Sequence, residues 1–456
     1  MSITLRGARS GAGPGTLLLG AARARAVGGG RPGTMGPAGR RRGPPGRGAA
    51  LGARLLGGAA AAAAAARGEG RAAAPRPAAR LLVAPMMDWT DAYYRTLARL
   101  LTRHTTLYTE MIVDNTIIHQ RGKELDRFLH FPALQHPLVL QLGGSDPRSV
   151  ALAARIACDG YGYDEINLNC GCPSDKVAGA GTFGAALMKT PELVGDICAA
   201  VAGEVAVPVS VKCRIGVDDV DSYAELCGFV RTVSERAGVR TFVVHARKAI
   251  LKGLSPKDNR RVPTLKRAWV FALAQDFPHL TFHLNGVISG AHEAAAFLAE
   301  EVNGAGVAGV MIGRAAYETP WHALADADRA VFGREGNPCA HRRELLDRYA
   351  EWADQVLAAR AAGSTQYGTV VTVRKLAKPL VGLFYQERGA GNWRRALHDH
   401  VPGAASVGEL VARAARAVPE EVLLEPPPTA PFAFDPPDSA GEHTPAGRSR
   451  EEVLAA

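Results

Sequence analysis

Eight short apolar runs alternate with helix-like segments from Leu81 onward, over roughly 240 residues. That count and size predict an α/β chain closed as a TIM (β/α)8 barrel. A second observation adds a small C-terminal all-α domain: beyond Arg314 the strand pattern stops and amphipathic helical stretches follow. Thirdly, polar residues fall where the strands end, which is where barrels of this type carry their chemistry. A doubly wound open sheet is the runner-up, but it usually has fewer strands.

Residues 1–80 stand apart from this plan. They hold 14 arginines, no lysine and one acid, Glu69, so this leader carries about +13 of charge and the remainder about −3. The near-neutral body means that any nucleic-acid contact must come from local patches. Arginine-rich and acid-poor, with "AAAAAAAA" at 59–66, the leader resembles a chloroplast or mitochondrial transit peptide. Without that address it reads as a disordered extension of a cytoplasmic protein. No later stretch of about 20 apolar residues is free of charge, which predicts a soluble body with no membrane span. Seven cysteines in 456 residues, an odd count, fit a reducing compartment rather than a disulfide framework.

The barrel is placed at 81–336. Its strands read as "LLVAPM", "TLYTEM", "LVLQLG", "EINLNCG", "VSVKCRI", "TFVVHAR", "TFHLNG" and "GVMIGR", rich in Val, Leu and Ile as buried parallel strands require. Between them "SVALAARIACDGYG" and "AELCGFVRTVSERAG" carry helical periodicity, and Ser145 and Asp146 before "PRSV" form a cap followed by a first-turn proline. The helical domain spans 337–417, with basic residues spaced along its helices; a solvated face is the default reading of those charges. From 418 to 456 the chain is Pro-rich and polar, which predicts a disordered tail.

The polar strand ends are Gln141, Asn167, Asn169, Lys212, His245, Arg247 and Asn285, more than a scaffold needs. Cys170-Gly-Cys172 is C-x-C, and no second pair stands at zinc-finger spacing, so no metal site is read there. Gly171 and Pro173 break the strand, which makes Cys172 the exposed loop thiol and leaves Cys170 to packing. A neutral thiol held within hydrogen-bond reach donates a proton to a developing carbanion; an inert loop cysteine is the alternative. "NGVISG" and "GRAAYETP" follow strands seven and eight, where such barrels hold phosphate, and Arg314 adds a fixed positive charge. Lys212, His245, Gln141 and the "APMM" loop would surround a flat polar ring. That suits a flavin, whose reduced form a cation near its N1/O2 edge stabilises. Another phosphate-bearing ligand would fit the same residues.

The ordered blocks "APMMDWTDAYYR", "TEM", "QLGG", "EINLNCGCPS", "VKCRIGVDD", "VVHARKA", "GLSPKDNRRVP" and "NGVI" resemble the A subfamily of tRNA-dihydrouridine synthases, from about Leu81 to His400. The resemblance implies reduction of the uridine C5=C6 bond at D-loop positions 20 and 20a of tRNA, with FMN as cofactor and NADPH as reductant. It implies that Pro85, Met86 and Met87 lie against the flavin, that Gln141, Lys212 and His245 hold its ring system, and that Asn285, Gly286, Val287, Gly313 and Arg314 bind ribityl and phosphate. Cys172 would protonate C5, Asn169 would contact the flipped uridine, and Lys257 and Arg260 would contact RNA. A monomer is expected, with tRNA as the partner. Two departures stand out. The usual N-G-G-I is N-G-V-I here, so Val287 sets a side chain beside the phosphate turn; backbone donation there would survive it. In the helical domain the family's Arg-His pair is Lys378-Pro379, where Lys375 and Lys378 keep the charge for tRNA. A dihydroorotate-type oxidoreductase of a free pyrimidine and a non-catalytic RNA-binding barrel are the competing readings.

Overall fold

The computed structural model describes residues 79–120, 123–174, 183–302, 304–368 and 370–434. The leader, and the organellar address read from it, lie outside the described residues.

Eight parallel strands form one sheet: β1 (Leu81–Val83), β2 (Leu107–Val113), β3 (Leu138–Gly143), β4 (Glu165–Cys170), β5 (Val209–Arg214), β6 (Thr241–His245), β7 (Thr281–Asn285) and β8 (Gly309–Ile312). Their order, β1-β8-β7-β6-β5-β4-β3-β2, runs round a barrel, and β1 meets β2 through the Leu82–Thr106 bridge. The expected fold class is therefore found. Period-two alternation splits the strand side chains into two sets. Leu82, Ala84, Tyr108, Val139, Val243 and Met311 pack together inside the barrel, while neighbours such as Leu81, Val83 and Leu140 join the larger core under the helices.

Local chemistry sets the helix ends. Asp146 accepts from Ser149 N–H ahead of Pro147 in the first turn of Pro147–Tyr161, and Gly162 closes that helix at a φ of 75°. Ser222 and Glu225 form a capping box on Tyr223–Ala237.

The helical domain is built from Arg342–Ala361, Val373–Ala377, Ala390–His400 and Val407–Ala415. It docks on the helix Ala92–Leu101, where the Tyr93 ring lies 6.5 Å from Trp352 and 5.9 Å from Tyr367. The composition predicts disorder over 418–456; within the described part Glu420–Leu424 is a helix with Val422 and Leu423 buried and 425–434 follows without helix or strand, while 435–456 lie outside the described residues. The apolar side chains of 420–434 find complementary surface, and the prolines there reduce the entropy lost on ordering.

Candidate active site

The carboxyl ends of the strands surround a cleft of about 520 Å³. All the expected cofactor residues border it: Pro85, Met86 and Met87 after β1, Gln141 on β3, Lys212 on β5 and His245 on β6. Asn285, Gly286 and Val287 at the end of β7, with Gly313 and Arg314 after β8, complete that set. Cys172, Asn169 and Arg260 border it too. The other expected RNA contacts do not. Lys257 is exposed on the loop before the short turn Asp258–Arg260. Lys375 and Lys378 line a neighbouring cleft of about 450 Å³, which shares Met87 and Met111 with the first. There the Lys375 ammonium donates to Val370 O (2.9 Å) and that of Lys378 to Asp88 O, so Lys378 ties the helical domain to the β1 loop.

The backbone turn that carries Cys172 is fixed by its neighbours. Asn169 Oδ1 accepts from the N–H groups of Gly171 (3.2 Å) and Cys172 (3.0 Å), folding the chain sharply at the end of β4. Asn169 Nδ2 donates to Gln141 Oε1 (2.8 Å), Gln141 Nε2 to Asn167 Oδ1 (2.7 Å) and Asn167 Nδ2 to Ser210 Oγ (2.8 Å). Buried amides linked in this way hold one another's rotamers. Cys170, in contrast, is fully buried beside Cys198 and Cys213, and burial pushes its thiol well above the usual range.

Arg214 escaped the sequence reading. It is buried, with Nε donating to Gly171 O (2.9 Å) and Nη1 to both Lys248 O and Asn259 O (2.9 Å each). One guanidinium thus braces the cysteine turn and the loop that carries Arg260. The available signal was its place two residues after Lys212, on the same face of β5. Strand register sets Arg214, His245, Asn285 and Met311 side by side in one row across β5 to β8.

Charge in the cleft has one sign. Among the described residues its lining holds Lys212, Arg214, Arg260 and Arg314 and no carboxylate. Lys212 Nζ donates to Asn285 Oδ1 (3.1 Å), whose Nδ2 donates to Met311 O (2.8 Å). Burial, with help from Arg214, lowers the lysine to about 8. Burial first, then the charges of Arg214, Lys212, Arg247 and Arg260, holds His245 well below the imidazole range, so its ring is neutral. Its Nδ1 is buried with no hydrogen-bond partner. An unmet polar atom in a cationic cleft fits a ligand that is polar at its edges and anionic overall.

At the β7–β8 side the backbone takes over. Gly286 has a φ of 127° and Val287 a φ of 52°, a region β-branched residues rarely enter. Arg267 Nη2 holds the turn by donating to Val287 O (2.5 Å) and Gly286 O (3.3 Å). A Cβ on Gly313 would meet open space, so the protein itself leaves room there. Together these features fit FMN.

Residues 82–418 match the sequence model of the dihydrouridine synthase family. The chain belongs to that family. It is 42% identical over 343 residues to the tRNA-dihydrouridine(20/20a) synthase of Vibrio vulnificus, covering 75% of this chain and 98% of that protein. The enzyme of that name from Xanthomonas campestris is 44% identical over 354 residues, covering 76% and 97% of the two chains. The one from Escherichia coli is 42% identical over 348 residues, with the same coverage of 76% and 97%. Among the described residues no cluster of three or more His, Cys, Asp or Glu is placed to hold a metal, and no helix is long and apolar enough to cross a membrane.

Proposed function

We propose that this protein reduces the C5=C6 bond of D-loop uridines 20 and 20a in tRNA, with FMN as its cofactor and NADPH as the reductant. The observation that carries the reading is that Cys172 and a cleft whose described lining is cationic and without a carboxylate share one mouth. The phosphate of FMN would be held by Arg314, Gly313 and the Gly286–Val287 turn, and its ribityl chain by Asn285. Its ring would meet Lys212, His245 and Gln141, with Pro85, Met86 and Met87 against it. When bound and reduced, FMN supplies a hydride to C6 of the base. Cys172 donates its Sγ proton to C5, where negative charge develops by conjugation with O4. Asn169 and Arg214 hold the turn that aims the sulfur, and Asn169 also borders the space for the base.

The target uridine must leave the tRNA stack, at a cost of a few kcal/mol. Arg260 at the rim and Lys257 beside it are placed to grip phosphates, which makes affinity fall with salt. Lys375 and Lys378 act first as supports of the helical domain and only through it on tRNA. The enzyme acts as a monomer. Residues 1–80 address it to an organelle; a fusion of that segment to a fluorescent protein that stays cytosolic would remove this part of the reading.

The test is to supply the flavin-loaded enzyme and NADPH with an unmodified tRNA transcript or with free uridine. Dihydrouridine at 20 and 20a of the transcript, and none from uridine, is expected. Equal turnover of the free pyrimidine would favour the dihydroorotate-type alternative and overturn the proposal.

A further inference from the structure

The family match ends at 418, and the described chain continues as far as Phe434. Five contacts fix its course. Buried Arg342 donates from Nη1 to Glu425 Oε2 (3.1 Å), and His292 Nε2 donates to Pro428 O (3.0 Å). Phe432 stacks on His322 with centroids 4.2 Å apart and planes 28° apart, and Tyr385 meets the rings of Phe432 and Phe434 at 6.1 Å each. Exposure alternates over Pro431 to Phe434, with both phenylalanines turned inward. His292 lies on the helix after β7 and His322 on a helix after β8, so the strap arrives over the β7–β8 side of the mouth. There Phe434 borders the cleft in company with Gly286, Val287, Gly313 and Arg314.

We infer that Phe434 is a cofactor-retaining residue, and that the strap 425–434 closes the phosphate side of the cleft against escape of bound FMN. The inference rests on the FMN reading above. The half-buried Phe434 packs one side against Tyr385 and the core and lines the cleft as well, so its ring is shared between packing and the cavity. An apolar ring there excludes water from the charged end of the ligand, which strengthens the attraction of Arg314, and it must move before the ligand can leave.

The experiment compares full-length flavin-loaded enzyme with Phe434→Ala, with Phe434→Leu and with a chain ending at Glu425. After dilution, the rise of flavin fluorescence gives the rate of FMN release. Release should be roughly tenfold faster in Phe434→Ala, intermediate in Phe434→Leu and at least as fast in the truncated chain. The melting temperature of apo Phe434→Ala should match that of the parent. Parental release rates in Phe434→Ala would overturn the inference while leaving the FMN reading intact. So would unchanged release with faster turnover of tRNA, which would make the strap a plug rather than a retainer. A parent chain that binds no flavin would remove the FMN reading and this inference together.

Discussion

The two sides of the barrel mouth are held in different ways. At the β4–β5 side, side chains do the holding: Asn169 folds the Cys172 turn, Gln141 and Asn167 lock Asn169, and Arg214 braces the turn from behind. At the β7–β8 side the backbone forms the turn, with Arg267 behind it and the tail's Phe434 at its edge. A sulfur that must deliver a proton has to be positioned within a fraction of an ångström, and that takes locked side chains. A phosphate needs N–H groups and space, which any residue's backbone can offer. Valine can therefore stand where the resembling family has glycine, at the cost of an unfavourable φ.

Breaking the first side should have the largest effect. Arg214→Ala removes the brace on Gly171 O, and the rate of dihydrouridine formation should fall by about a hundredfold while FMN content holds. Arg214→Lys should not restore it, because an ammonium cannot span three carbonyls as a guanidinium fork does. Steady-state rates and flavin absorbance measure both. On the second side, Arg314→Ala should weaken FMN binding about tenfold and leave the Cys172 turn alone; a titration of apoprotein with FMN decides this.

Histidines on β6 and β7 connect the two sides. His245 is held well below 6.5 and His283 is lowered to about 4, chiefly by burial in both cases. Unfolding frees each to take up a proton below its ordinary pKa, so the unfolded chain binds more protons there than the native one. Stability of the apoprotein should thus be fully present above about pH 6.5 and fall from there toward pH 4, by up to about 1.4 kcal/mol per pH unit for each ring. Denaturant midpoints at pH 7, 6 and 5 should drop in that order, with less loss in His283→Gln. The smallest effect expected is a gain: Val287→Gly relieves the positive φ and should stabilise the chain by about 1 kcal/mol, read as a higher melting temperature.

The eight strands were legible because buried parallel strands must be apolar from end to end, and β3 is buried at every position. The residues expected to hold a cofactor were named from motifs and the family resemblance, and the barrel gathers them into one cleft. Arg214 was not, because its partners lie on the loops after β4 and β6, far from it in sequence, and only its spacing from Lys212 hinted at it. Nor was the place of Lys375 and Lys378, since it depends on how the helical domain docks against the β1 loop. In the tail, proline content masked the signal that mattered: Phe432 and Phe434, spaced by two, with waiting partners in His322 and Tyr385.

The most direct test uses Cys172→Ala. The flavin-loaded variant is reduced with NADPH without oxygen and mixed with unmodified tRNA, and flavin reoxidation and dihydrouridine are followed through one turnover. Flavin content, reduction by NADPH and tRNA binding should equal those of the parent, with transfer to tRNA slowed by about 10²–10⁴-fold. Product formation at the parental rate would contradict the assignment of Cys172 as the proton donor.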